Sequence, residues 1–102
     1  MATAQQTSPY DVAHRFVEAL RSDRTLIGLW MRTTQDSVEF WLYTEPISTE
    51  HELQLYETEL LLYREFPELN PEVHVIHSDL YDEGSHFSFA VPPGAEQIPL
   101  PR

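Results

Sequence analysis

The sequence predicts an α+β protein, a two-layer α/β sandwich in which two helices lie on one face of a small mixed sheet. Three observations support this class. Apolar residues recur at helical spacing in residues 9–22 and 49–66. Two strand-like runs, 25–32 and 38–44, are separated by a short turn. A third such run, 72–77, follows the second helix. The predicted order is α-β-β-α-β with a further strand after it, in a single domain spanning all 102 residues.

The first helix has a clear start. Ser8 followed by Pro9 is typical of an N-cap and a first helical residue, and Asp11 lies in the first turn. The apolar side of residues 9–22 is narrow, which suits a helix that lies on a sheet. Residues 1–7 are polar and are predicted to be flexible.

The next two segments predict an antiparallel hairpin. In the run 25–32, Gly28 predicts either a β-bulge or a close approach by a helix. In the run 38–44 the side chains alternate between two faces. One face carries Val38, Phe40 and Leu42, and the other carries Glu39, Trp41 and Tyr43.

The second helix is predicted over residues 49–66. Thr49 and Glu52 have the spacing of a capping box, and Pro67 ends the helix. About half of its helical wheel is apolar, which is wider than one sheet face normally covers. The residues of this arc are Leu53, Leu55, Tyr56, Leu60, Leu62, Tyr63 and Phe66. We therefore expect a second helix or a second subunit beside it. Glu59 lies inside this apolar arc. Either it reaches the edge of the interface or a Tyr hydroxyl, or it is a functional buried acid with a raised pKa.

The C-terminal part predicts strands and an extended tail. A strand–helix–strand crossover can place the run 72–77 parallel to the preceding strand. Residues 86–91 predict a short fourth strand. Residues 92–102 carry four prolines and are predicted to be extended. Ile98 and Leu100 indicate that this tail lies against an apolar surface.

Charge and composition exclude several functions. Seventeen acidic residues and six Arg, with no Lys, give a net charge of −11. We therefore expect no nucleic-acid partner and no anionic membrane surface as a partner. The absence of Cys excludes disulfides and thiol catalysis. No secretory signal or run of about 18 apolar residues is evident, so a cytoplasmic location is predicted.

The sequence contains no catalytic or cofactor-binding motif, and we predict no catalytic residue, cofactor or bound metal. One cluster has side chains of the type that bind divalent metals: His74, His77, Asp79, Asp82, Glu83 and His86. Its spacing fits neither one strand face nor a calcium loop. His51, with Glu50, Glu52 or His14 near it, is a weaker acid–base candidate.

Aromatic residues predict an interaction surface. Trp41 and Tyr43, with Trp30 from the preceding strand, are expected on the sheet face opposite the helices. If that face is uncovered, it forms an apolar patch of the kind that marks protein contacts. We therefore predict a homodimer through Trp30, Trp41 and Tyr43. The alternative is that the proline-rich tail folds back over this face.

The order of elements resembles the minimal nucleotidyltransferase fold, as do the segments Val38–Thr44 and Val91–Ile98. That family binds two metal ions through an Asp-x-Asp pair and a third acid. Here only Glu39 matches one acid of the pair, Ser37 occupies the other position, and the third falls near His74. The Gly-Ser turn is replaced by Thr33-Thr34-Gln35. The resemblance therefore implies a degenerate, inactive member.

The segments Thr44–Ile47 and Pro92–Ala95 also resemble short uncharacterised bacterial proteins. We therefore predict a non-catalytic protein that acts by binding a protein partner. The alternative is a small enzyme or a metal-dependent binder that uses Glu39, Glu59 or the His74–His86 region.

Overall fold

A computed structural model describes residues 7–77 and 92–100 of the chain. It confirms the α+β class, with two helices and a four-stranded mixed sheet. The elements in order are α1 (Pro9–Ala19), β1 (Leu26–Thr33), β2 (Val38–Thr44), α2 (Thr49–Glu65), a 3-10 turn (Pro67–Leu69), β3 (Pro71–His77) and β4 (Glu96–Ile98). The fourth strand predicted at 86–91 lies outside the described residues, as do residues 1–6.

The strands lie in the order β3-β2-β1-β4. β1 pairs antiparallel with β2, and β3 pairs parallel with β2, as the hairpin and the crossover predict. The register of the hairpin shifts between Leu26 and Gly28, so the predicted bulge is present. β4 pairs antiparallel with β1, opposite Leu29 to Met31. Residues 96–98 are extended, as predicted for the tail, and Ile98 and Leu100 pack on the core. The pairing with β1 was not predicted, and it arises because the edge of β1 supplies hydrogen-bonding partners.

The two helices begin with different caps. Ser8 and Asp11 form a capping box on α1, which ends at Ala19 rather than at residue 22. On α2 the N-cap is Ser48, whose Oγ accepts from the backbone N–H of His51 at 3.0 Å. The predicted Thr49–Glu52 box is therefore wrong. With Ser48 as the cap, the third helical position is occupied by a His, which cannot complete such a box.

The core lies between the helices and one sheet face. Phe16 of α1 has no exposed surface and meets Phe40 of β2 edge to face, with ring centroids 5.0 Å apart. Leu29, Met31, Val38, Leu42, Val73 and Ile98 complete the sheet side. From α2, only Leu55 and Leu62 are buried. Most of the wide apolar arc of α2 thus lies outside the core.

Candidate interaction surface

The sheet face opposite the helices carries interlocked aromatic side chains. Trp30 and Tyr43 meet edge to face with ring centroids 5.1 Å apart. The ring of Trp41 stacks on His74 at 5.1 Å, and the guanidinium of Arg32 lies 5.4 Å from the Trp41 ring centroid. These contacts follow from register, because Trp41 lies opposite Trp30 on one side and His74 on the other.

This face is less exposed than the sequence predicts. Tyr43 has no exposed surface and Trp41 is only 9% exposed, so the expectation that these rings form an uncovered patch is wrong. One reason is Gly28, because the Trp30 ring occupies the space that a Cβ would need there. The described part of the tail pairs with the edge of β1, with Gln97 opposite Trp30. The interface through Trp30, Trp41 and Tyr43 remains a prediction, but the low exposure of Trp41 and Tyr43 removes the main argument for it.

Glu39 and Arg32 form an ion pair on this same face. Oε1 of Glu39 accepts from Nε of Arg32 at 2.9 Å and lies 2.7 Å from Nη2. The two residues are cross-strand neighbours in the hairpin. The only acid that matches the nucleotidyltransferase pattern is therefore engaged by an Arg side chain that also lies over Trp41. The ion pair between Glu39 and Arg32 stabilises the hairpin, and the guanidinium of Arg32 holds the Trp41 ring in place.

Glu59 hydrogen-bonds to the backbone of β3, the outermost described strand on one side of the sheet. Its Oε2 accepts from the backbone N–H of Val73 at 2.7 Å. One turn earlier on α2, the hydroxyl of Tyr56 accepts from the N–H of Val75 at 3.3 Å. Among the described strands β3 lies at one edge of the sheet. The N–H groups of Val73 and Val75 donate to α2 side chains and not to β2. Helix α2 thus satisfies backbone groups that would otherwise offer a template for another strand. Within residues 7–77 and 92–100, the hydrogen-bond partner of Glu59 is therefore a main-chain donor and not a Tyr hydroxyl.

His51 pairs with an acid that the sequence did not suggest. The predicted partners were Glu50, Glu52 and His14, but the acid that Nε2 of His51 contacts is Asp23, whose Oδ2 lies 2.7 Å away. Asp23 also accepts from the backbone and the hydroxyl of Thr25. The Asp-x-Thr spacing is a local turn signal that could have identified the acid, but not its contact with α2.

The environment of Asp23 favours its charged form. Partial burial by itself raises the pKa of Asp23, but the hydrogen bonds from Thr25 and His51 outweigh burial and hold the pKa below its ordinary value. The pair lies in a groove of about 430 Å³ that Ser22 and Gln54 also line. The Asp23–His51 pair links the first turn of α2 to the connection between α1 and β1.

The predicted metal cluster falls mostly outside the described residues, which exclude Asp79, Asp82, Glu83 and His86. Residues 7–77 and 92–100 contain no group of three or more His, Asp or Glu side chains arranged to hold a metal ion. The ring of His74 is stacked on Trp41.

A second groove, of about 570 Å³, separates α1 from β4. Its walls include Ala13, Val17, Ile98 and Leu100. The hydroxyl of Tyr10 donates to Oε1 of Glu96 at 2.6 Å across it. This hydrogen bond and the negative charge of Glu96 raise the pKa of the Tyr10 phenol. The two polar groups at the rim therefore bind each other and link the tail to the first helix.

The largest exposed apolar side chains of α2 lie in one row. Leu53 is 59% exposed, Leu60 62% and Tyr63 45%. Tyr56 is half-buried and lies between them. We call these four residues, Leu53, Tyr56, Leu60 and Tyr63, the outer stripe. Their spacing of three, four and three residues places them on one side of the helix, next to the face that caps β3. Sequence reasoning included these residues in the wide arc but could not tell which of them stay exposed.

The comparisons with known proteins add no relative. No protein-family model, curated protein or solved structure matches the chain. Neither described helix has the length and apolar character needed to cross a bilayer. The functional conclusions therefore rest on the geometry of this chain alone.

Proposed function

We propose that this protein acts without catalysis, by binding another protein through the outer stripe. One observation carries the proposal, namely that three large apolar side chains of a single helix are 45–62% exposed and aligned. Scattered exposed apolar residues are normal, whereas a contiguous row of them is typical of contact sites. The stripe also includes two Tyr residues, a residue type that is enriched in the centres of interfaces.

The Tyr rings of the stripe are held before any partner binds. The hydroxyl of Tyr63 donates to Oδ1 of Asn70, and the hydroxyl of Tyr56 accepts from Val75. Side chains that are already fixed lose less conformational entropy on association. This preorganisation favours a binding role over a purely structural one for the exposed parts of the rings.

The acids named in the catalytic alternative have other partners. Glu39 pairs with Arg32 on one sheet face, while Glu59 accepts from Val73 at the sheet edge. Acid–base or metal chemistry needs carboxylates that converge on one substrate. These two acids lie on different parts of the molecule and each holds structure together. The resemblance to a degenerate nucleotidyltransferase remains a prediction, and the binding proposal does not require it.

The homodimer also remains a prediction. Because Tyr43 and Trp41 are buried within one chain, a dimer through their face would gain less apolar area than expected. Light scattering over a range of protein concentrations tests it directly.

Affinity purification from the cells that naturally make the protein tests the binding proposal. The bait is the tagged full chain or its double variant Leu53→Gln/Leu60→Gln, which keeps the net charge. Ile27→Gln is the matched control, because Ile27 is an exposed apolar residue on β1, outside the stripe. We expect partners that the wild type and Ile27→Gln recover and the double variant loses. If no recovered protein depends on the stripe, the proposal is wrong.

A further inference from the structure

On the basis of the proposed function, we infer that the element docking on the outer stripe is a basic amphipathic helix of a partner protein. Such a helix would present apolar residues at alternating three- and four-residue spacing, flanked by Lys and Arg. Two properties of the stripe support this assignment, its shape and the charges that border it.

The shape of the stripe suits another helix. Leu53 and Tyr63 are ten residues apart on α2, so the row is about 15 Å long at ~1.5 Å per residue. At ~100° per residue the four side chains span an arc of roughly 80°. A narrow straight row with this spacing is the seam that a single helix packs against. A strand or an irregular loop would not follow three turns of the helix as closely.

The charges around the stripe are mostly negative. Glu50 and Glu57 are exposed on one side of it, and Glu52 and Glu59 lie on the other side. Helix α2 contains five Glu residues and a single Arg, Arg64. In helix pairs the residues bordering an apolar seam select the partner by charge. A partner bearing Lys and Arg at those positions would therefore be attracted and held in register.

The same charges disfavour a second copy of this chain as the occupant. Two α2 helices placed side by side would bring together two rows rich in Glu, with one Arg each. The whole chain carries −11, so the approach of two copies is opposed at long range as well. Like charges across a contact cost free energy and are a known means of excluding wrong partners.

Designed peptides provide the test. The basic probe is a labelled helical peptide of about 20 residues with Leu at the seam positions and Lys or Arg beside them. One control peptide keeps the Leu seam but has Glu beside it, and another keeps the basic residues but has Ser in the seam. Fluorescence anisotropy gives the dissociation constants for the wild type and for Leu53→Gln/Leu60→Gln at low and high salt.

We expect the wild type to bind the basic probe about tenfold or more tightly than either control peptide, a difference of about 1.4 kcal/mol. The double variant should bind the probe about tenfold more weakly, since two Leu contacts are lost at unchanged charge. High salt should weaken binding of the probe as well. The urea midpoints of the wild type and the double variant should agree.

Several outcomes would overturn the inference. Equal binding of the Ser-seam peptide, or full binding by the double variant, would show unspecific charge attraction. Equal binding of the Glu-flanked peptide would reject the basic partner and leave the stripe as a docking site. If no peptide binds but affinity purification recovers a stripe-dependent partner, the basic helix is also rejected and the stripe remains a docking site. Self-association lost in the double variant would identify a second copy instead. A lower urea midpoint for that variant would mean that the chain itself covers the stripe, which would reject the proposed function too.

Discussion

Replacing Glu59 by Ala should destabilise the protein by leaving an edge donor of β3 without its acceptor. The carboxylate accepts from the N–H of Val73 at 2.7 Å, a distance typical of charge-assisted bonds. Val73 itself is only 4% exposed. Hydrogen bonds to charged groups contribute about 1.5–3 kcal/mol to stability. Because Glu59 is half-buried and water can replace part of the bond, we expect a loss of about 1.5–2 kcal/mol in the free energy of unfolding.

Urea unfolding measures this loss, and the chain offers a matched control. Glu57 lies on the same helix but is exposed, so Glu57→Ala makes the same change of charge and helix propensity. We expect it to alter stability by no more than about 0.5 kcal/mol. Glu59→Gln should recover part of the loss, since its amide oxygen can still accept. Amide hydrogen exchange should be faster at Val73 in Glu59→Ala. Equal free energies for the Glu57 and Glu59 variants would refute the edge-capping role.

Two further changes test other contacts. Gly28→Ala should lower the free energy of unfolding by about 1–3 kcal/mol and alter the near-UV circular dichroism of Trp, because the new Cβ would lie 2.5 Å from Cζ3 of Trp30; a neutral or stabilising effect would show that the ring does not occupy this space. Asp23→Asn should destabilise the protein at neutral pH, because the pKa of Asp23 is lowered in the folded state. The carboxylate therefore contributes stability above its unfolded pKa of about 3.9. This contribution is lost as the pH falls through the folded pKa. The difference between wild type and Asp23→Asn should therefore shrink in acid, and a difference that stays constant across urea titrations at descending pH would contradict the role of Asp23.

Local signals in the sequence predicted much of the fold. The alternation from Val38 to Thr44 gave both the strand and its two faces, and Pro67 marked the end of α2 within one residue. The N-cap of α2 was misplaced because Ser48 and Thr49 are both good capping residues, and only the extended backbone of Ser48 decides between them.

Other features depend on contacts that no local pattern encodes. The segment Glu96–Ile98 has no strand periodicity and becomes β4 because the edge of β1 is available beside it. The role of Glu59 follows from the position of α2 against the edge of β3, fourteen residues away in sequence. The burial of Tyr43 could not be foreseen from alternation, which assigns a face but not the packing of the rings on it.

The predicted excess of apolar surface on α2 connects the fold with the proposed function. Leu55 and Leu62 are the buried residues of α2, and Glu59 and Tyr56 hold the helix against β3. The apolar residues on its outer side stay largely exposed, and such exposure favours association. A net charge of −11 counters that tendency between copies of the same chain while attracting a partner of opposite charge. The proposed docking of a basic helix would account for both the acidity of the chain and the exposed outer stripe.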